Sequence, residues 1–271
     1  MGRGSEMADR EQLVIRSSDE LLQPTTRRKF LGAMGAFGSV LFLPSVFTAC
    51  NSDNGITGIG GAAASFAIDM STDAGILNYA YALEQLEAAY YTAALTSAGF
   101  AALSTDEKEV LTDLQKHEVI HREFFKQTLG LAALPTITFN ASTVATLTAS
   151  RSVLLSTSQL LEDTGVSAYN GAGKYLQSAA NLLIAGKIVS VEARHAAAIR
   201  DIRDSTGKLF AGDDVINAAG LDVKAEPKTV FAAVVSLNVL DTTASPLSIS
   251  KQPEADGRVA ATADQPAPSP T

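Results

Sequence analysis

The sequence is short of the residues that most often advertise a protein's chemistry. It has no tryptophan and a single cysteine, Cys50, so no disulfide can close within the chain. It has three histidines, His117, His121 and His195, which confines any imidazole-based site to two short stretches. Basic residues are outnumbered, 21 Lys and Arg against 29 Asp and Glu, for a formal charge of −8. No Lys/Arg cluster with interleaved aromatics occurs, which excludes a nucleic-acid surface. No alternating apolar pattern stands out as a strand.

Apolar residues with helical spacing are plentiful. The chain is 46% hydrophobic over 271 residues, enough for one or two domains with a packed core. Ser71, Thr72 or Asp73 can cap a helix running to about Ser97, with Ile76, Ala80, Leu83, Tyr90 and Ala94 on one stripe. Ser104 and Glu107 form a capping-box signature, and a second helix follows to Leu129, stopped by Gly130. Residues 131–143, with Pro135, read as a longer irregular connection. A third helix lies between Val144 and Ala172. A fourth runs from Leu176 to Asp204 on a stripe of Leu182, Ala185, Val189, Glu192, His195, Ile199 and Ile202. Pro227 in a first-turn position starts a short helix to about Leu237. The expected fold is therefore all-α, an antiparallel four-helix bundle over residues 71–204 with an extension over 205–240. Residues 241–271 hold five of the nine prolines and read as a disordered tail.

Within these stripes sit two acid–imidazole pairs. Glu118 precedes His121 by three residues, and Glu192 precedes His195 by three. Residues three apart share a helix face, so each pair can bind one ion from adjacent turns. With 29 acids in 271 residues, two or more of three histidines would have such a partner by chance in roughly 3% of cases. An upstream glutamate completes each half. Glu162 lies 30 residues before Glu192, and Glu87 lies 31 before Glu118, which favours Glu87 over Glu84 (a spacing of 34), although Glu84 has Tyr91 on its own face. Carboxylates bridge cations and imidazoles cap them. The mixed oxygen and nitrogen set suits two ions of iron, or else manganese. His117 reads as an outer or surface group. Tyr90, Tyr91 and Tyr169 are candidates to hydrogen-bond a ligand, or are core aromatics with a satisfied hydroxyl.

Taken together, Glu87, Glu118, His121, Glu162, Glu192 and His195 resemble the di-iron ligand set of the ferritin-like superfamily. The stretches Leu83 to Tyr91, Leu161 to Tyr169 and Val191 to Ala198 are similar to exported ferritin-like domain proteins, including the desiccation-related group. The resemblance covers about residues 70–204. It implies a ferritin-like four-helix bundle and metal binding, and it implies no particular reaction.

The first 49 residues carry a second resemblance. Arg27 and Arg28 precede an apolar run from Phe30 to Phe47, similar to the twin-arginine export signal. Phe47, Thr48, Ala49 and Cys50 resemble a lipobox, with Phe47 where leucine is usual, and this implies acylation of Cys50 and a lipid anchor in the membrane. Residues 50–70, rich in Gly, Ala and Ser, read as a flexible tether. The functional expectation is an exported di-metal protein acting on a small oxidant, O₂ or peroxide. The alternative is a non-enzymatic surface lipoprotein that uses the bundle as a scaffold.

Overall fold

A computed structural model describes residues 65–204 and 206–253. The signal segment, Cys50 and most of the tether lie outside the described residues, as does the tail beyond 253. The order of elements is β1 (Phe66–Asp69), α1 (Asp73–Ala94), α2 (Ala98–Ala101), α3 (Thr105–Leu129), α4 (Ala141–Leu147), α5 (Arg151–Ala172), α6 (Ala179–Arg203), α7 (Pro227–Ser236) and β2 (Leu247–Lys251). Helix dominates, in a bundle of four long helices. α1 packs chiefly against α3, and α5 against α6.

Local sequence sets the helix ends. Thr72 accepts a hydrogen bond from the Gly75 amide and starts α1. At α3 the capping box forms: Ser104 Oγ accepts from the Glu107 amide, and Glu107 Oε2 accepts from the Ser104 amide at 2.8 Å. Such caps contribute about 1 kcal/mol each. Glu107 also pairs with Arg151 at the start of α5, so one side chain ends a helix and ties the two hairpins. α3 stops at Gly130, whose φ of 54° suits glycine. Ser150 caps α5, and Ser178 caps α6.

The core is continuous. Leu111, Leu154, Leu155, Phe125, Ile199 and Met70 are all buried to within 1% exposure. Arg200 of α6 is buried too, its guanidinium forked onto Asp163 of α5 at 2.7–2.8 Å and onto Asp214 of the extension at 2.7–3.1 Å. Paired on both edges, this charge holds the extension to the bundle. The extension also approaches α5 by backbone. The Ala225 amide donates to Ser167 O at 2.9 Å, and a Cβ at Gly171 would overlap the Ala225 carbonyl oxygen. Gly171→Ala is therefore expected to lower stability by about 1–3 kcal/mol, the usual cost of forcing atoms into a filled space, read as a lower urea midpoint.

Three expectations are corrected. The tether and the tail each supply a strand. β1 and β2 pair in parallel, with Phe66 opposite Leu247 and Ile68 opposite Ile249. Runs of four and five residues are too short to rise above composition, and their pairing joins distant parts of the chain. The connection after α3 is not all irregular, since it contains α4. Leu182 does not lie on the core stripe: it is 49% exposed, with Leu183 at 62%. The first turn of α6 turns Asn181 inward instead, where its amide donates to Asp73 Oδ2 at 2.7 Å.

Candidate metal centre

The four long helices bring seven of the predicted polar side chains to one buried level. Glu84, Glu118, Glu162 and Glu192 have no exposed surface, and Glu87 and His195 are 4% exposed. Two groups form among them. One joins Glu84, Glu118, His121 and Glu192; the other joins Glu118, Glu162, Glu192 and His195, each with its donor atoms within 4.8 Å of one another. Glu118 and Glu192 belong to both.

The groups are related by a near-twofold exchange of the hairpins. His121 Nδ1 lies 2.9 Å from Glu192, 3.4 Å from Glu84 and 3.6 Å from Glu118. His195 Nδ1 lies 2.8 Å from Glu118, 3.4 Å from Glu162 and 3.7 Å from Glu192. The tyrosines follow the same exchange. Tyr91 donates to Glu162 Oε1 at 2.6 Å, and Tyr169 donates to Glu84. Each tyrosine stands seven residues after its own helix's glutamate and reaches across to the other's. Tyr90 instead donates to the Leu154 carbonyl at 2.8 Å, as a core aromatic.

This exchange bears on the choice between Glu84 and Glu87. Glu84 lies ten residues before the end of α1, and Glu162 ten before the end of α5. Glu118 and Glu192 each lie thirteen past the first residue of their helix. Glu84 is thus the counterpart of Glu162. The spacing of 34 arises because the first hairpin has a ten-residue connection and the second has six. The surplus is the length of α2, so equal spacing in sequence favours Glu87 where alignment of the helix ends favours Glu84. Glu87 lies outside both groups, one turn further along. Its Oε1 sits 3.1 Å from where a Cβ on Gly165 would stand, beside Glu192 Oε2 at 3.7 Å from the same point. Gly165 is the counterpart of Glu87, and its missing side chain leaves the room that Glu87 fills.

Charges this close govern one another. Burial pushes Glu84 well above the usual carboxylate range, helped by Glu192. Burial does the same to Glu87, helped by Glu118, Glu192 and Glu162. Burial, with Glu118 and Glu192 nearby, raises Glu162 to about 8 despite His195. For Glu118, burial is outweighed by His121 and His195, which hold it down to about 2. Burial likewise disfavours charge on His121 and His195, but the surrounding carboxylates raise both to about 12.

The donor set fits cations. Glu84 Oε2, both oxygens of Glu118 and of Glu192, Glu162 Oε2 and Nδ1 of both histidines are buried without a hydrogen bond. Both imidazole Nδ1 atoms lie 2.8–3.7 Å from these oxygens as ion-pair contacts. Such atoms are costly to bury unpaired. Donors about 2 Å from a shared ion lie within about 4 Å of each other, so small side-chain rotations close each group. The remaining atoms are already committed: Tyr91 and Tyr169 hold one oxygen each of Glu162 and Glu84, leaving the other free to point inward.

Beyond Tyr169 lies a small apolar cavity of about 20 Å³, walled by Ala80, Leu83, Phe125 and Ala172 among others. Ala80 and Phe125 are one helical turn from Glu84 and His121.

A helical bundle with a buried cluster of glutamates and histidines fits a carboxylate-rich metal protein. Residues 72–205 match the family model for a ferritin-like domain, so the chain carries a ferritin-like domain over that span. A search of curated proteins finds no match to the chain.

Most of the centre was legible: six of the seven nominated residues join the two groups. The crossed tyrosine contacts had one visible signal, the placement of Tyr91 and Tyr169 seven residues after a glutamate. The contact of His117 with His195, at 2.9 Å between Nδ1 and Nε2, had none beyond its place next to Glu118.

Proposed function

We propose that this is an exported di-metal carboxylate protein that reduces a small oxidant, with iron, or else manganese, as its metal. The observation that carries the reading is the sharing of Glu118 and Glu192 between two groups of orphaned donors. Glu84 with His121, and Glu162 with His195, would be the ligands private to each ion. Two such ions supply two electrons, as reduction of peroxide to water requires. The chain's own part is to fix the donors, to exclude bulk water and to hold protons close by. Glu87 is the group placed for the last task, a buried carboxyl beside Glu192 and outside both groups. The small apolar cavity next to Tyr169 has room for a molecule of the size of water or dioxygen, in keeping with a small oxidant.

Export rests on the paired arginines and apolar run before Phe47, and anchoring on Cys50. Iron or manganese loaded before export would suit a route that moves folded chains.

The reading is tested by loading the protein with two equivalents of Fe(II) without air and mixing it with O₂ or with peroxide. Expected is oxidation of both ions, at least about tenfold faster than free Fe(II) at the same pH, with one of the two oxidants. A loaded protein inert to both oxidants would contradict it.

A further inference from the structure

The two halves of the centre match residue for residue in their ligands, yet their surroundings differ: Glu87 stands opposite Gly165, and His117 opposite Val191. His195 presents Nδ1 to the glutamates, and its Nε2 points away from them to His117 Nδ1, 2.9 Å distant. The two rings lie nearly parallel, 11° apart with centroids separated by 5.1 Å. His117 precedes Glu118, and the residue that precedes Glu192 in the same way is Val191, which has no acceptor to offer. No hydrogen bond to His121 Nε2 is present among the described residues, and the His121 side chain is 12% exposed against 4% for His195. One inner imidazole is thus braced from behind, and the other is unbraced and somewhat more exposed.

We propose that His117 makes the two cation positions unequal, so that the half built on Glu162 and His195 takes up the first divalent ion and the half built on Glu84 and His121 the second. The reasoning is steric and tautomeric. An imidazole that binds a cation through Nδ1 must carry its proton on Nε2. An acceptor behind that nitrogen selects this tautomer, fixes the ring plane and makes the facing nitrogen a better donor. His195 has its ring plane fixed before any ion arrives, and once an ion displaces the Nδ1 proton His117 holds the remaining proton on Nε2. His121 must give up contact with water and settle into one orientation as the ion binds. His117 acts through His195 and touches no ion itself, so it is a positioning residue. The inference rests on the metal reading above.

The test is an anaerobic Mn(II) titration of the full chain by calorimetry, paired with ¹⁵N-histidine NMR of the metal-free chain. Wild type is expected to show two separate binding steps and a slowly exchanging His195 Nε2 proton. His117→Val copies the other half. It should weaken the tighter step about 10- to 100-fold, the range for supporting partners of metal-bound histidines. It should also leave the weaker step unchanged and lose the slow proton. His117→Gln keeps an acceptor and should recover the tighter step to within a few-fold, a rescue that mere packing would not produce. Unchanged steps in His117→Val, or equal weakening of both, would overturn the inference. Two ions taken up by wild type in a single step would overturn this inference alone, whereas a wild type that takes up no Mn(II) would overturn the metal reading with it.

Discussion

Glu118→Gln and Glu192→Gln will each cost the protein both metal ions, while Glu84→Gln and Glu162→Gln will each cost one. Glu118 and Glu192 contribute to both groups of donors, and Glu84 and Glu162 to one each. Glutamine keeps the size of the side chain but replaces one carboxylate oxygen with an amide that repels a cation. For a residue shared by two ions, the loss falls on both, and it should exceed the roughly 100-fold limit seen for residues that only support a ligand. Metal counted per chain after anaerobic reconstitution should read two for wild type, one for the private glutamates and close to zero for the shared ones. Far-ultraviolet dichroism shows whether each variant keeps its helices. Equal losses in all four variants would mean that the two groups do not share ligands as the distances suggest.

The second large effect concerns pH. Without metal, the protein should lose stability steadily as pH rises from about 5 to 9. Glu162 is raised from 4.5 to about 8, and Glu84 and Glu87 are raised well above 4.5. Between the unfolded and folded values the folded chain holds more protons, so stability falls with rising pH. His121 and His195, raised from 6.5 to about 12, act in the same direction. Their stabilisation is complete below 6.5 and is lost as pH climbs towards 12. Glu118, lowered to about 2, works the opposite way, and its stabilisation is lost only as pH falls from 4.5 towards 2. The metal-free optimum is therefore expected near pH 4–5. Metal reverses the trend, because ions displace the protons and bind more tightly as pH rises. Excess Mn(II) at about 100 times the dissociation constant adds about 2.7 kcal/mol per site. Urea midpoints measured from pH 5 to 9, with chelator and with Mn(II), should cross. Parallel curves would mean that no cation enters the cluster.

The sequence made the long helices and the level of the site legible for physical reasons. Ser104, Glu107 and Gly130 punctuate α3 through bonds that any chain with those residues would make. The acid–imidazole pairs were visible because three residues on a helix bring two side chains to one face. Glu84 ranked behind Glu87 because counting from Glu118 assumes equal connections. The helix α2 adds a turn that no apolar stripe announces. β1 and β2 were missed because their pairing depends on partners some 180 residues apart. His117 needed three dimensions, since its partner lies on another helix.

The most direct test of the central claim is anomalous diffraction from crystals of the metal-loaded protein, recorded at the iron or manganese edge. Two peaks per chain are predicted. One should lie among Glu84, Glu118, His121 and Glu192, and the other among Glu118, Glu162, Glu192 and His195, with Glu118 and Glu192 touching both. An absence of peaks in this cluster, or a single ion bound by one histidine with the other glutamates turned away, would contradict the account.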